Sequence, residues 1–238
     1  MRIRPVLAAA LSAAATAVLL AVPAGAADTT APGAAVRAAV ARHRAAGEEV
    51  TTTLRAAIDA LPVAAEDRTG YERTKFRHWI DADKNGCNTR AEVLIAEAVT
   101  APEIGAGCAL TGGTWLSKYD DLLLTDASLS DVDHVVPLAE SWDSGASAWS
   151  AAERQAYAND LDEPRALIAV SAKSNRSKAD KDVTEWLPPA EAYRCTYITD
   201  WTVVKTRWGL SVDQAEADTL HRLATACPDT ELTVTLAR

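Results

Sequence analysis

The chain has 238 residues, with 24 Lys+Arg against 33 Asp+Glu and a formal net charge of −9. At 48% hydrophobic and 24% charged it carries enough apolar material for one large or two small domains, which excludes wholesale disorder. The acidic balance argues against a basic coat on nucleic acid or a polybasic membrane binder, but it leaves room for a local basic site.

Residues 1–26 read as an export signal. Arg2 and Arg4 form a basic start, Val6 to Val22 an apolar run, and Ala24-Gly25-Ala26 a small-x-small cleavage site. Its loss removes two arginines and no acid, which moves the charge from −9 to −11. Residues 27–68 read as an Ala-rich linker followed by an N-terminal helix over Glu48–Leu61, ended by Pro62. The main domain is expected over residues 69–228, with 229–238 as a C-terminal tail.

Within that domain, Thr69-x-x-Glu72 resembles a capping box, and Phe76, Trp79 and Ile80 share one helical face, so a helix is predicted over Tyr71–Ile80. Another is predicted over Arg90–Val99. Thr114–Leu116, Leu122–Leu124, Val132–Val136 and Arg165–Val170 read as strands. Ser150-x-x-Glu153 opens a helix to about Ala158, a helix starts near Ser174, and Tyr193–Trp208 and Val212–Ala226 read as helices. The fold class is therefore α+β.

Cys87, Cys108, Cys195 and Cys227 are read as two disulfides, since an exported chain meets an oxidising medium. Cys87–Cys108 and Cys195–Cys227 are favoured because each closes a local loop. Zinc is disfavoured, because no C-x-x-C pair exists.

Asp131-Val132-Asp133-His134-Val135-Val136-Pro137 ends a strand. It is followed by a helical insert, a second strand, and Asn175-Arg176-Ser177-Lys178 on a helix. This order resembles the HNH, or ββα-metal, nuclease motif. With Trp79-x-Asp81-x-Asp83, Cys87-Asn88-Thr89-Arg90, Trp142-Asp143-Ser144-Gly145, Ala158-Asn159-Asp160-Leu161 and Trp186-Leu187-Pro188, the chain over about residues 70 to 228 resembles a secreted actinobacterial HNH endonuclease family. That family is related to the C-terminal nuclease domain of GmrSD-type restriction enzymes.

The resemblance implies an HNH core inside a mostly helical, disulfide-bonded domain that hydrolyses phosphodiesters. His134 is the expected general base, since a neutral imidazole can take a proton from water. Asp133 and Asn175 are the ligands implied for Mg²⁺ or another divalent metal, with Asp131 a competitor on the same strand face. Lys178, Arg176 and Arg90 are the implied phosphate contacts. The stretch from Arg165 to Lys178 holds Arg165, Lys173, Arg176 and Lys178 and no acid, a patch suited to phosphate. The middle Asn of simple HNH motifs has no match at its usual offset, which falls on Ala166. Asn159 and a backbone group remain the alternatives. The expected partner is nucleic acid, DNA ahead of RNA, with the chain a secreted, extracellular monomer.

Asp81, Asp83, Asn85, Gly86 and Glu92 fit the calcium-loop pattern D-x-[DN]-x-[DN]-G-x₅-E. Calcium and a plain turn pinned by the Cys87 disulfide both fit this stretch. The alternative function is a calcium-stabilised extracellular binding module with a vestigial HNH motif.

Overall fold

The computed structural model describes residues 45–238. The export signal, most of the Ala-rich stretch and His43 lie outside the described residues. The chain begins with strand β1 (Glu49–Thr53) and passes directly into helix α1 (Leu54–Ala60). One helix was expected here. The Thr51-Thr52-Thr53 run is β-branched and favours extended backbone, and the Thr53 hydroxyl caps α1 by accepting from the Ala56 N–H. Leu54, Ala57 and Ile58 are buried on one face of α1.

The helix expected over 71–80 does not form. Only a single 3₁₀ turn, Arg73–Lys75, appears there. Thr69 does not cap it: the residue before the turn is Glu72, which makes no side-chain cap, and the Thr69 carbonyl accepts from the Trp142 indole at 3.2 Å. Trp79 has φ 56°, a left-handed conformation that stops a right-handed helix. The apolar spacing instead serves a loop anchored in the core by Phe76, which is 1% exposed.

Helix α2 (Thr89–Ala96) starts at Asn88, whose side chain accepts from the Ala91 N–H. Two short antiparallel ribbons follow. One pairs β2 (Glu103–Ile104) with β3 (Leu110–Thr111), and the other pairs β4 (Trp115–Ser117) with β5 (Leu122–Leu124). Strand β6 (Ser130–His134) pairs antiparallel with β7 (Leu167–Ser171), with Asp131 opposite Val170 and Asp133 opposite Ile168. Between them lie α3 (Leu138–Asp143), which begins after Pro137, and α4 (Ala151–Ala158), which opens with a full Ser150–Glu153 capping box. Helix α5 (Ala172–Lys178) leaves β7 at once, capped by Ser171.

Helices α6 (Arg194–Trp208) and α7 (Gln214–Ala224) form a hairpin, with Gly209 in the left-handed conformation ending α6. Strand β8 (Glu231–Thr235) then returns to pair with β1, so residues 229–238 are not a free tail. Leu232 and Val234 are buried on its inner face. The structure pairs Cys87 with Cys108 and Cys195 with Cys227.

The core centres on fully buried Trp115, Tyr119, Tyr157, Tyr197 and Trp201. Two buried cations brace it. Lys205 lies 2.7 Å from both Glu140 and Glu216, and Arg207 lies 2.7 Å from Asp160. Among the described residues no helix is long and apolar enough to cross a membrane.

Candidate active site

The turn from β7 into α5 lays the helix across the face of β6 that carries Asp131 and Asp133. Alternate strand residues share a face, and helix residues three apart share one too, so two cross-links form. Asn175 donates from Nδ2 to Asp131 at 3.0 Å. Lys178 donates from Nζ to Asp133 and, at 2.9 Å, to the His134 carbonyl. Asp133 also accepts from the Tyr119 hydroxyl at 2.8 Å.

Lys178 is 0% exposed, and its closest contact to Asp133 is 2.8 Å. Burial pushes the Asp133 carboxyl up and the Lys178 ammonium down, and each charge opposes the shift of the other. Burial and the nearby Asp133 charge hold the Tyr119 phenol well above its ordinary value, so it stays protonated and donates.

His134 ends β6, buried to 6% exposure. Its ring lies between Trp79, stacked with centroids 5.3 Å apart, and Tyr157, stacked at 6.4 Å. Its Nε2 is 3.0 Å from the Ala158 carbonyl. A carbonyl only accepts, so Nε2 carries the proton and the Nδ1 lone pair is left available. Burial is the main cause holding this imidazole down to about 3, so it is neutral at physiological pH.

The Ala158 carbonyl is fixed by its neighbours. Tyr157 donates to the Val136 carbonyl at 2.5 Å. Asn159 accepts from the Ile80 N–H and the Thr89 hydroxyl, and donates to the carbonyls of Arg77 and Gln155. Asp160 accepts from Arg207 and the Trp208 indole. Three side chains flanking that carbonyl thus tie α4 to β6's extension, to the 77–89 segment and to α6. Asn159 caps α4 and clamps the loop, and the group that orients His134 is the backbone of the residue before it.

Asp133, His134, Asn175, Arg176, Asp180 and Arg73 line one cavity of about 200 Å³. A hard divalent cation suits its donors. The Asn175 amide nitrogen faces Asp131, and Asn175 Oδ1 accepts no hydrogen bond among the described residues. A carboxylate offers about four acceptor sites, and Tyr119 and Lys178 leave Asp133 room for a further contact. Carboxylate and amide oxygens are the donors such an ion prefers.

Two of the phosphate contacts expected from sequence have other work. Lys178 is sealed in the interior on Asp133. Arg90 donates to the carbonyls of Ala127 and Ser130, tying α2 to the start of β6, and is not among the residues lining the His134 cavity. The expected basic patch also shrinks, because Arg165 is paired with Glu163 at 2.6 Å. Arg176 stays exposed at the cavity. The sequence assigns no site role to Arg73, Tyr119 and Tyr157, which no motif spacing marks, and it uses Trp79 only for the resemblance, without placing it on His134.

In the 81–92 loop, the Asn85 amide donates to Asp83 at 2.9 Å and to Glu92 at 2.8 Å, and Asp81 accepts from the backbone of Asn85 and Gly86. The loop is flanked by α2 on one side only. Among the described residues, Glu66, Glu140 and Glu216 bring carboxylate oxygens within 4.8 Å of one another, and the Lys205 ammonium contacts both buried members.

The family described as GmrSD restriction endonucleases, C-terminal domain, matches residues 109–223. A protein of the fungus Arthroderma benhamiae, named as an uncharacterized secreted protein, is 44% identical over 158 residues, covering 66% of this chain and 76% of its own length. The chain belongs to the GmrSD C-terminal domain family. The relative is fungal, so the narrower actinobacterial label expected from sequence is not supported. No solved structure matches the chain. The family match runs from β3 into α7 and holds every residue lining the His134 cavity except Arg73.

Proposed function

We propose that this protein is a secreted, divalent-metal-dependent endonuclease of the HNH type that hydrolyses phosphodiester bonds in nucleic acid, DNA ahead of RNA. One observation carries the reading. His134 holds its proton on Nε2 against the Ala158 carbonyl and keeps its Nδ1 lone pair, in a cavity shared with two oxygen donors and a free arginine. Membership in a family of restriction-endonuclease domains supports it. The two disulfides and the secreted relative support an extracellular site of action.

His134 accepts the proton of the attacking water at Nδ1. Trp79 and Tyr157 keep the ring in plane, and the Ala158 carbonyl holds the tautomer and steadies the imidazolium that forms. A phosphate anion in the cavity raises the basicity of the ring by opposing the surrounding cations. Arg176 contacts a phosphate oxygen. Asp133 and Asn175 Oδ1 would hold a Mg²⁺-like ion. When bound, it supplies charge neutralisation at the scissile phosphate and the leaving oxygen.

Cleavage of plasmid DNA and of RNA by the mature protein, with Mg²⁺ and with EDTA, tests the reading. His134→Ala is expected to lose about 10²- to 10⁴-fold in rate while keeping its fold. Undiminished cleavage by that variant would sink the assignment. Calcium at the 81–92 loop is a structural proposal beside it. A rise in Tm on adding Ca²⁺ to the chelator-treated protein, lost in Glu92→Gln, is expected, and an unchanged Tm would remove it.

A further inference from the structure

The catalytic cavity has a wall that the family match does not supply. Residues 109–223 provide the strands and helix around His134, whereas Arg73 joins the lining from the segment before α2. Its 3₁₀ turn is set rigidly. Phe76 is buried in the core, the Lys75 ammonium lies 4.9 Å over the Trp142 ring and donates to the Gly70 carbonyl at 2.6 Å, and Arg154 donates to the Lys75 carbonyl. A turn pinned at residues 75 and 76 presents Arg73 to the cavity.

Arg73 is exposed, and among the described residues no carboxylate pairs with it. Its positive charge is felt at both Asp133 and His134. Arg176 reaches the same cavity from α5. Two guanidinium groups without a carboxylate partner thus line one small space from separate elements. A planar guanidinium not already held by a carboxylate is suited to a phosphate oxygen pair.

We propose that Arg73 is a substrate-contacting residue of this site, gripping the phosphate that His134 acts on together with Arg176. The proposal rests on the nuclease reading above and adds a residue to it. The 73–79 segment then completes the active site from outside the matched domain, with Arg73 on the phosphate and Trp79 stacked on His134.

The test uses the full mature protein with Arg73→Gln and Arg73→Lys. Cleavage kinetics are read for each, and binding of duplex DNA is measured between about 50 and 200 mM salt in the non-cleaving His134→Ala background. Arg73→Gln is expected to lower kcat/KM by about 10- to 100-fold and to flatten the plot of log K against log salt by about 0.9. Arg73→Lys keeps the slope and recovers part of the rate, because it retains the charge without the paired donors. Thermal unfolding separates these effects from misfolding, and an unfolded Gln variant passes the decision to the Lys variant. A folded Arg73→Gln with the wild-type slope and kcat/KM overturns the proposal and leaves the nuclease reading standing. A wild-type protein that cleaves no nucleic acid overturns both.

Discussion

Replacing Lys178 with Met separates a structural role from a phosphate-binding one. Lys178 is fully buried, and its ammonium serves Asp133 and the His134 carbonyl. Met fills similar volume, so the cost is electrostatic rather than a cavity. The Asp133 carboxylate is left buried with only the Tyr119 hydroxyl to answer it. Removing one member of a buried pair costs about 3–5 kcal/mol. Asp133 can take up a proton, which favours the lower end. For a domain of this size each kcal/mol moves Tm by about 2–4 °C, so a drop of about 6–20 °C is expected by calorimetry. The double variant Asp133→Leu/Lys178→Met removes both charges and is expected to regain most of the loss, although it cannot regain activity. A Tm within about 2 °C of wild type, together with a shallower salt dependence of DNA binding, would refute the buried pair and return Lys178 to the phosphate.

Asn159→Leu removes four hydrogen bonds that clamp residues 77–89 to α4. At about 1 kcal/mol each, a loss of roughly 3–4 kcal/mol is expected in urea unfolding, with faster hydrogen exchange at Ile80 and Thr89; unchanged exchange there would show that the clamp is idle. Glu66 is pushed up to about 7, mainly by partial loss of its hydration and next by Glu140. The unfolded chain releases that proton near 4.5, so the folded state holds the extra proton between these values. Stability therefore falls as pH rises from about 4.5 to 7, and Glu66→Gln is expected to flatten that slope in Tm measured from pH 4 to 8. An identical slope in the variant would reject it.

Much of the site's local order was legible because local rules set it. Pro137 does stand between the strand bearing Asp133 and His134, which ends at His134 rather than at Val136, and α3; Ser150 and Glu153 do cap α4, and β7 does feed a helix with Asn175 and Lys178 on one face. What sequence could not show was how pairings would be shared out. Asn175 and Lys178 were legible as neighbours of the Asp-His strand, but their three-residue spacing matches Asp131 and Asp133 equally, and only the crossing of helix and strand decides that Lys178 is consumed internally. The segment 71–80 failed for a related reason. Its apolar period suits a helix, but its aromatic residues find partners in α3 and α4 that are far away in sequence, and tertiary packing overrode propensity. Strand β8 was missed because its partner β1 lies near the other end of the domain, and pairing across that distance leaves no local trace.

The two disulfides change what a protease can do to this molecule. Residues 103–107 are exposed and lie inside the loop closed by Cys87–Cys108, and Cys195–Cys227 closes the α6–α7 hairpin. A single cut within either loop leaves both fragments covalently joined, with β6, β7 and α5 outside the severed stretch. A nicked molecule would run as one chain until its thiols are reduced, and for a chain proposed to work outside the cell, scission of the surface need not mean dismantling of the site.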